Sequence, residues 1–402
     1  MSLGEFMTLQ RGFDLPEQRR RAGNVPVVTS AGISARHDTA MVKGPGVVMG
    51  RYGRLGRVYF VREDFWPHNT ALWVRDFHGN DPLFAAYFLG TLHYGGFSDK
   101  SAVPGLNRND LHRIPVQIPP LAQQRAIAHI LGTLDDKIES SRRMNETLEA
   151  MARAIFKSWF VDFDPVRAKA ADRKPRGLDP ATAALFPDSF QNSELSKIPK
   201  GWRVIDLPDV IAVNPSRQLR RGDVAPYVEM SSLPNHSARV LAWEDRPFGS
   251  GTRFTNGDVL LARITPCLEN GKTAFVDFLE DGEVAWGSTE FIILHSKSPL
   301  PAEFAYFLAR SDAFREHAIQ NMTGTSGRQR VPASCLDHYL IATPPEPIAK
   351  RFGEVVRPLV AAMKANDEQS QTVAAIRDAL LPKLISGEVR VKDADRIVGR
   401  MV

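Results

Sequence analysis

Cysteine is almost absent: Cys267 and Cys335 are the only two in 402 residues. That excludes a disulfide scaffold and a cysteine-based zinc cluster, and it fits a reducing compartment. Long hydrophobic runs are missing too. None approaches the ~18–20 residues of a membrane helix, and the opening MSLGEFMTLQRGFDLPEQRRR lacks the apolar core of a secretory signal. A cytoplasmic chain with no membrane partner is therefore expected. The ten histidines never stand at i, i+4 with a glutamate between them, so a zinc-hydrolase helix is not written here. A strong excess of one charge is also lacking. The 51 basic and 46 acidic residues give a net charge of +5, which permits a polyanionic partner without requiring one. What is present is an ordinary globular composition, 43% hydrophobic and 24% charged, in a chain long enough for two or three domains.

Catalytic motifs come close and fail. Asn270-Gly271-Lys272-Thr273 ends like a phosphate-binding loop, but the glycine needed five residues before Gly271 is Pro266. Asp81-Pro82-Leu83-Phe84 resembles the adenine-clamping motif of amino-methyltransferases, but its second proline is Leu83, and no glycine-rich turn follows a strand to hold a methyl donor. No spacing singles out an acid–base pair. The chain reads as a binder.

The sequence repeats itself. Asn69-Thr70 before ALWV matches Ser288-Thr289 before EFIIL, and Tyr87-Phe88-Leu89 matches Tyr306-Phe307-Leu308, both 219 positions apart. GRVYFV from Gly56 matches GKTAFV from Gly271, and VPVVTS from Val25 matches APYVEM from Ala225. Pro119-Pro120 matches Pro344-Pro345. These matches keep their order along the chain, as a duplicated unit does. Each copy begins with short β-like runs punctuated by glycine and proline, then meets its Pro-Pro stop, then enters a long helical stretch. From Leu121 to Asp162 there is one glycine, Gly132, and no proline.

Ile127, Leu131, Leu134, Ile138, Ser141, Asn145, Leu148, Ala152, Ile155 and Trp159 follow a 4-3 spacing. Adding 225 gives a second such seam from Phe352 to Leu384. A seam of this length, ~50 Å at 1.5 Å per residue, predicts two helices packed on each other. In an antiparallel pair aligned by the seam centres, residues whose numbers sum to 511 share a level. Asn145 then meets Asn366, and Ser141 meets Ser370, as a polar layer that sets register. Replacing both asparagines by leucine is expected to keep or raise stability while loosening that register. Residues 164–199, rich in Pro, Lys, Arg and Asp, read as an extended linker with one helical patch, PATAALF.

Candidate contact residues cluster in glycine-bearing loops. The first copy has Arg51, Tyr52, Arg54 and Arg57, with Lys100 and Arg108 further on. The second has Arg220, Arg221, Arg263 and Lys272, then Ser326, Arg328, Gln329 and Arg330 in one loop. Arginine and glutamine are side chains that read base edges bidentately, and glycine lets backbone approach a phosphate. These residues are the expected DNA-binding set. No catalytic or metal-ligating residue is expected.

IPPLAQQRAIAHILGTLDDKIE (Ile118–Glu139), AIFKSWFVDFDPVRAK (Ala154–Lys169), GLDPATAALFPDSF…SELSKIPKGW (Gly177–Trp202) and LLPKLISGEVRV (Leu380–Val391) together resemble the specificity subunit of type I restriction–modification systems. The resemblance spans essentially the whole chain. It implies an α+β fold with two β-rich target-recognition domains in tandem repeat, at 1–120 and 200–345. They would be separated by two long spacer helices, 121–163 and 346–387, packed as an antiparallel coiled coil. A linker at 164–199 and a C-terminal tail at 388–402 complete it. It also implies double-stranded DNA as ligand and two modification subunits as partners, with two restriction subunits able to join. S-adenosylmethionine, ATP and magnesium would sit on those partners and none on this chain. Two other readings stay open on sequence: a freestanding architectural DNA-binding or oligomerisation protein, and a DNA-modifying enzyme with unrecognised motifs.

Overall fold

The structure is a computed structural model that describes residues 1–94, 105–235, 237–240, 242–325 and 327–399. In chain order its first part comprises α1 (Leu3–Phe6), β1 (Thr8–Arg11), β2 (Val25–Thr29), β3 (Gly32–His37), β4 (Gly46–Gly50), β5 (Val58–Val61), β6 (Trp66–Pro67), β7 (Ala71–Asp76), α2 (Pro82–Thr91) and α3 (Arg108–His112). Helix α4 (Leu121–Phe160) follows, then α5 (Asp164–Ala170), α6 (Pro180–Leu185), β8 (Phe190–Ser193), β9 (Ser196–Pro199), β10 (Arg203–Asp206), α7 (Leu207–Val210) and β11 (Ile211–Val213). Next come β12 (Val224–Val228), β13 (Glu244–Pro247), β14 (Thr252–Phe254), β15 (Asp258–Ala262), β16 (Thr273–Phe275), β17 (Ala285–Gly287) and β18 (Phe291–Ser296). The chain ends with α8 (Ala302–Ala309), α9 (Asp312–Gln320), β19 (Leu340–Thr343), α10 (Glu346–Ser386) and α11 (Val391–Val398).

The chain divides into two compact units. Unit 1 is Met1–Ser140 with the segment from Ser370 onward, and unit 2 is Ser141–Gln369. Each contains half of α4 and half of α10.

Unit 1 has an antiparallel sheet of order β1-β7-β4-β5 and a second sheet of order β3-β2-β6. Strand β4 is buried along its whole length, so its side chains alternate between two cores. Val47 and Met49 face a cluster with Leu72, Val74, Phe84 and Phe88. The helix residues Ile127, Leu131, Leu134, Val373, Leu380 and Leu384 belong to that same cluster. Val48 faces the other way, with Val28, Val61, Phe65 and Trp73.

Unit 2 repeats this plan. Its main sheet has order β11-β18-β15-β16, and β12 pairs parallel with β17 as β2 does with β6. Val259 and Leu261 of β15 face the helices, while Leu260 faces the second sheet. Unit 2 adds a ribbon, β10 on β19, where unit 1 has the single bridge Ser2–Pro115. The matched sequence runs are therefore matched strands: ALWV and FIIL begin β7 and β18, and GRVYFV and GKTAFV lead into β5 and β16.

The long helices run antiparallel. Within unit 2, Asn145 meets Asn366, and further along α4 Phe156 meets Phe352, with ring centroids 5.9 Å apart. Within unit 1, Asp135 meets Arg377. The one glycine of α4 has a packing reason: a Cβ on Gly132 would stand 3.0 Å from Leu83 Cδ2, so α2 approaches the helix closely there.

Residues 164–199 do not run extended. They fold into α5, α6 and the β8–β9 hairpin. Val166, Phe186 and Ile198 are buried, and the Phe186 ring lies 5.1 Å from that of Trp159. Three apolar anchors in a polar stretch suffice to fix it to the α4 end. Residues 388–402 likewise include a helix, α11, with Ala394 and Val398 buried in the unit 1 core.

Candidate nucleic-acid interface

In unit 1 the turn from β4 to β5 carries Arg51, Tyr52, Arg54 and Arg57. Its start is clamped by backbone bonds. Arg51 N–H and Tyr52 N–H both donate to Thr70 O, at 3.2 and 3.3 Å, and Leu106 N–H donates to Arg51 O at 3.0 Å. The ring of Tyr52 packs against Gly105, where a Cβ would stand 2.4 Å from Tyr52 Cε1, so a larger residue would displace the ring. The Arg51 guanidinium stands 4.6 Å over the Tyr52 ring. Helix α3 opens beside this turn, its first N–H groups capped by Asn107. The result is a concavity of about 390 Å³ whose lining includes Arg51, Tyr52, Leu72, Arg108 and also Arg11, the last residue of β1. Below it, His112 Nε2 accepts from Leu9 N–H at 2.9 Å. Burial, and then the nearby Arg108 charge, hold this imidazole below its ordinary pKa, so it stays a neutral acceptor.

Among the described residues no carboxylate pairs with Arg51, Arg54, Arg57 or Arg108. Lys100 lies outside the described residues. Arg11 was not legible as a contact residue, because one arginine at a strand end has no motif.

Unit 2 treats its cations differently. Lys272 Nζ donates to Met230 O at 2.8 Å and Leu233 O at 2.9 Å, so this ammonium holds a neighbouring loop. Arg330 forks onto Glu290, with Nε 2.8 Å from one carboxylate oxygen and 3.0 Å from the other. Thr265 donates from its N–H to Gln329 O at 3.0 Å. These bonds fix the base of the 323–330 loop and leave Arg328 exposed near its tip. Ser326 lies outside the described residues. Arg263 is half-buried, and its Nε finds no partner. Arg220 and Arg221 are exposed in the turn that leads into β12.

The two near-motifs have structural explanations. Asp81 caps α2, accepting from Phe84 N–H at 2.8 Å, with Pro82 in the first turn. Gly271 and Lys272 form the turn into β16, and Gly271 O accepts from Arg310 at 2.7 Å. Among the described residues no cluster of three or more His, Cys, Asp or Glu side chains could hold a metal ion. No described helix is long and apolar enough to cross a membrane.

Each β-rich part is tied to the helices by polar groups, half-buried in unit 1 and buried in unit 2. In unit 1, Tyr87 donates to Asp135, which also pairs with Arg377 at 2.6 Å. In unit 2 the matching Tyr306 donates to Glu149 at 2.8 Å, and Arg310 reaches the same oxygen at 3.2 Å. Asn366 Nδ2 donates to Asn145 Oδ1 at 2.8 Å. Asn145 Nδ2 donates in turn to Asp367 Oδ1 at 2.7 Å. The other Asp367 oxygen receives Arg239 at 3.0 Å, and Arg239 forks onto Asp277. Ser141 is buried and Ser370 half-buried. The Arg239 link joins two segments more than a hundred residues apart, so no local pattern marks it.

The family model for the type I restriction modification DNA specificity domain matches residues 1–150. The MjaIX specificity subunit of Methanocaldococcus jannaschii is 26% identical over 309 residues, which are 74% of this chain. The match spans 65% of that relative's length. The HindI specificity subunit of Haemophilus influenzae is 23% identical over 337 residues, 73% of this chain and 72% of that one. The crystal structure of the type I S subunit from M. genitalium covers 96% of this chain and 95% of its own, at 15% identity and a TM-score of 0.54, and so shares the fold. The chain thus shares the fold of that S subunit, and its sequence is similar to type I restriction–modification specificity subunits.

Proposed function

We propose that this chain reads a split, asymmetric DNA target for a complex whose methyl transfer and cleavage are performed by other subunits. The observation that carries this reading is duplication with divergence. The main sheets of both units have the same strand order and the same alternation between two cores, yet their loops differ in chemistry. Among the described residues Arg51, Arg54, Arg57 and Arg108 of unit 1 pair with no carboxylate, whereas unit 2 ties Arg330 and Lys272 to its own atoms. Like scaffolds with unlike loops read unlike half-sites.

In this reading, cations such as Arg54, Arg57, Arg220, Arg221 and Arg328 meet phosphates and set position. Base-edge contacts from the same loops supply sequence preference. Modification subunits bring S-adenosylmethionine and flip the target adenine. Restriction subunits bring ATP and magnesium. The complex works in the cytoplasm.

The test is to assemble the full chain with its modification subunits and map methylated adenines by sequencing. A bipartite, non-palindromic motif is expected. Replacing the unit 1 loops by those of a relative should change one half of that motif. A palindromic motif, a change in both halves, or methyl transfer by the isolated chain would overturn the proposal.

A further inference from the structure

We infer that the concavity between Arg11, the β4–β5 turn and α3 is the seat of one phosphodiester group of the DNA backbone, with Arg11 and Arg108 as its arms. This rests on the reading of the chain as a DNA-binding subunit and assigns a ligand group to one place in it.

Arg11, Arg51 and Arg108 line one hollow. Among the described residues Arg51 and Arg108 have no ion-pair partner. Arg11 has only Asp14 at 3.9 Å, with both side chains more than half exposed. An exposed pair at that distance neutralises little. The hollow is therefore a concentration of positive charge that the fold itself does not offset.

The framework around it is fixed. Leu106 is bonded to the Arg51 backbone, and Tyr52 is seated on Gly105, so α3 and the turn hold their places together. The arginine side chains project from a rigid rim, as a preorganised anion site requires. A guanine edge offers two acceptors but no net charge, and it cannot offset the charge of three arginines around one hollow. A phosphodiester offers a full negative charge and two free oxygens that match the guanidinium fork.

The experiment measures binding of the full chain to duplex DNA over a range of salt concentrations. It compares wild type with Arg11→Ala, Arg108→Ala and Arg108→Lys. Arg11 and Arg108 are exposed, so the fold is expected to survive, and thermal melting checks this. Each alanine variant should lose roughly 10-fold or more in affinity on every sequence. Each should also lower the slope of log K against log salt by about 0.9. Arg108→Lys should keep the wild-type slope. On duplexes scanned with single neutral methylphosphonates, wild type should lose affinity at one linkage where Arg108→Ala loses nothing further. An unchanged slope in both alanine variants would overturn the inference, as would relaxed preference at one base pair with the slope intact. Either result leaves the DNA-binding reading standing. Only a wild-type chain without salt-dependent DNA binding removes both.

Discussion

Asn145→Leu tests whether the polar layer of the helix pair is held by the β-rich part of unit 2. On helix pattern alone, leucine at Asn145 and Asn366 should leave stability unchanged or raised. Asp367 changes that expectation. Burial raises the pKa of its carboxyl, outweighing the nearby Arg239 charge, so the ionised form depends on its donors. Asn145 is one of them, at 2.7 Å. Losing a hydrogen bond to a charged acceptor costs about 1.5–3 kcal/mol. Burying the leucine side chain returns part of this, at roughly 25 cal/mol per Å². A net loss of about 1 kcal/mol is expected. Asn366→Leu should also cost about 1 kcal/mol, by stranding Asn145 Oδ1. The double variant should cost no more than Asn145→Leu alone, because the stranded oxygen goes with it. The two changes then couple by about 1 kcal/mol. Arg239→Met should be the most damaging, about 3–5 kcal/mol, since it leaves Asp277 and Asp367 facing each other unpaired. Urea dependence of hydrogen exchange in the 141–160 segment reads unit 2 separately from unit 1. An Asn145→Leu variant more stable than wild type, or a double variant equal to the sum of the singles, would refute the reasoning.

Glu149→Leu should destabilise unit 2 by about 3–5 kcal/mol, because Arg310 loses its carboxylate in a site that is 5% exposed. Adding Arg310→Met should recover stability in a denaturation curve, and a double variant worse than the single would contradict the buried-pair account. Arg330→Ala should cost under about 1 kcal/mol in melting experiments, since its pair with Glu290 is partly exposed. Arg328→Ala should leave melting unchanged and lower the salt slope of DNA binding by about 0.9. The folded-state pKa of His112 is depressed below its ordinary value near 6.5, so its contribution to unit 1 is complete above that pH. It is lost as pH falls through the depressed folded value. Melting temperature should therefore fall between pH 7 and pH 5, and His112→Gln should flatten that slope while burial of His68 leaves a remainder. An unchanged slope in His112→Gln would show that another group governs it.

Much of the scaffold was legible because it is periodic. The 4-3 seam marked both long helices, and the ordered matches marked β5 with β16 and β7 with β18. ALWV was marked by its recurrence and not by alternation, since a strand buried on both faces shows no polar side. Residues 164–199 misled by composition. Their polar majority hid Val166, Phe186 and Ile198, whose burial depends on Trp159 and its neighbours, and no local count sees that. The candidate site was legible only as loops. Arginines in a glycine turn announce an exposed cation. Nothing local says that Lys272 will meet the Met230 and Leu233 carbonyls, that Arg330 will meet Glu290, or that Arg11 will stand beside Arg51 and Arg108. Such outcomes are decided by partners tens of residues away.

Unit 2 is one continuous stretch of chain, whereas unit 1 is closed by residues from 370 onward. On the ribosome, the amino-terminal sheets of unit 1 emerge first but cannot finish their core. Val373, Leu380, Leu384, Ala394 and Val398 arrive only after all of unit 2 has been made. At about 5–20 residues per second, the nascent unit 1 waits on the order of ten seconds or longer with Ile127, Leu131 and Leu134 lacking their final cover. Unit 2 has its whole sequence in hand when that wait ends, so it can fold before the unit that precedes it. Synthesis that stops between Gln369 and Leu380 would release a chain with a finished second half and an adhesive first half, a natural client for chaperones.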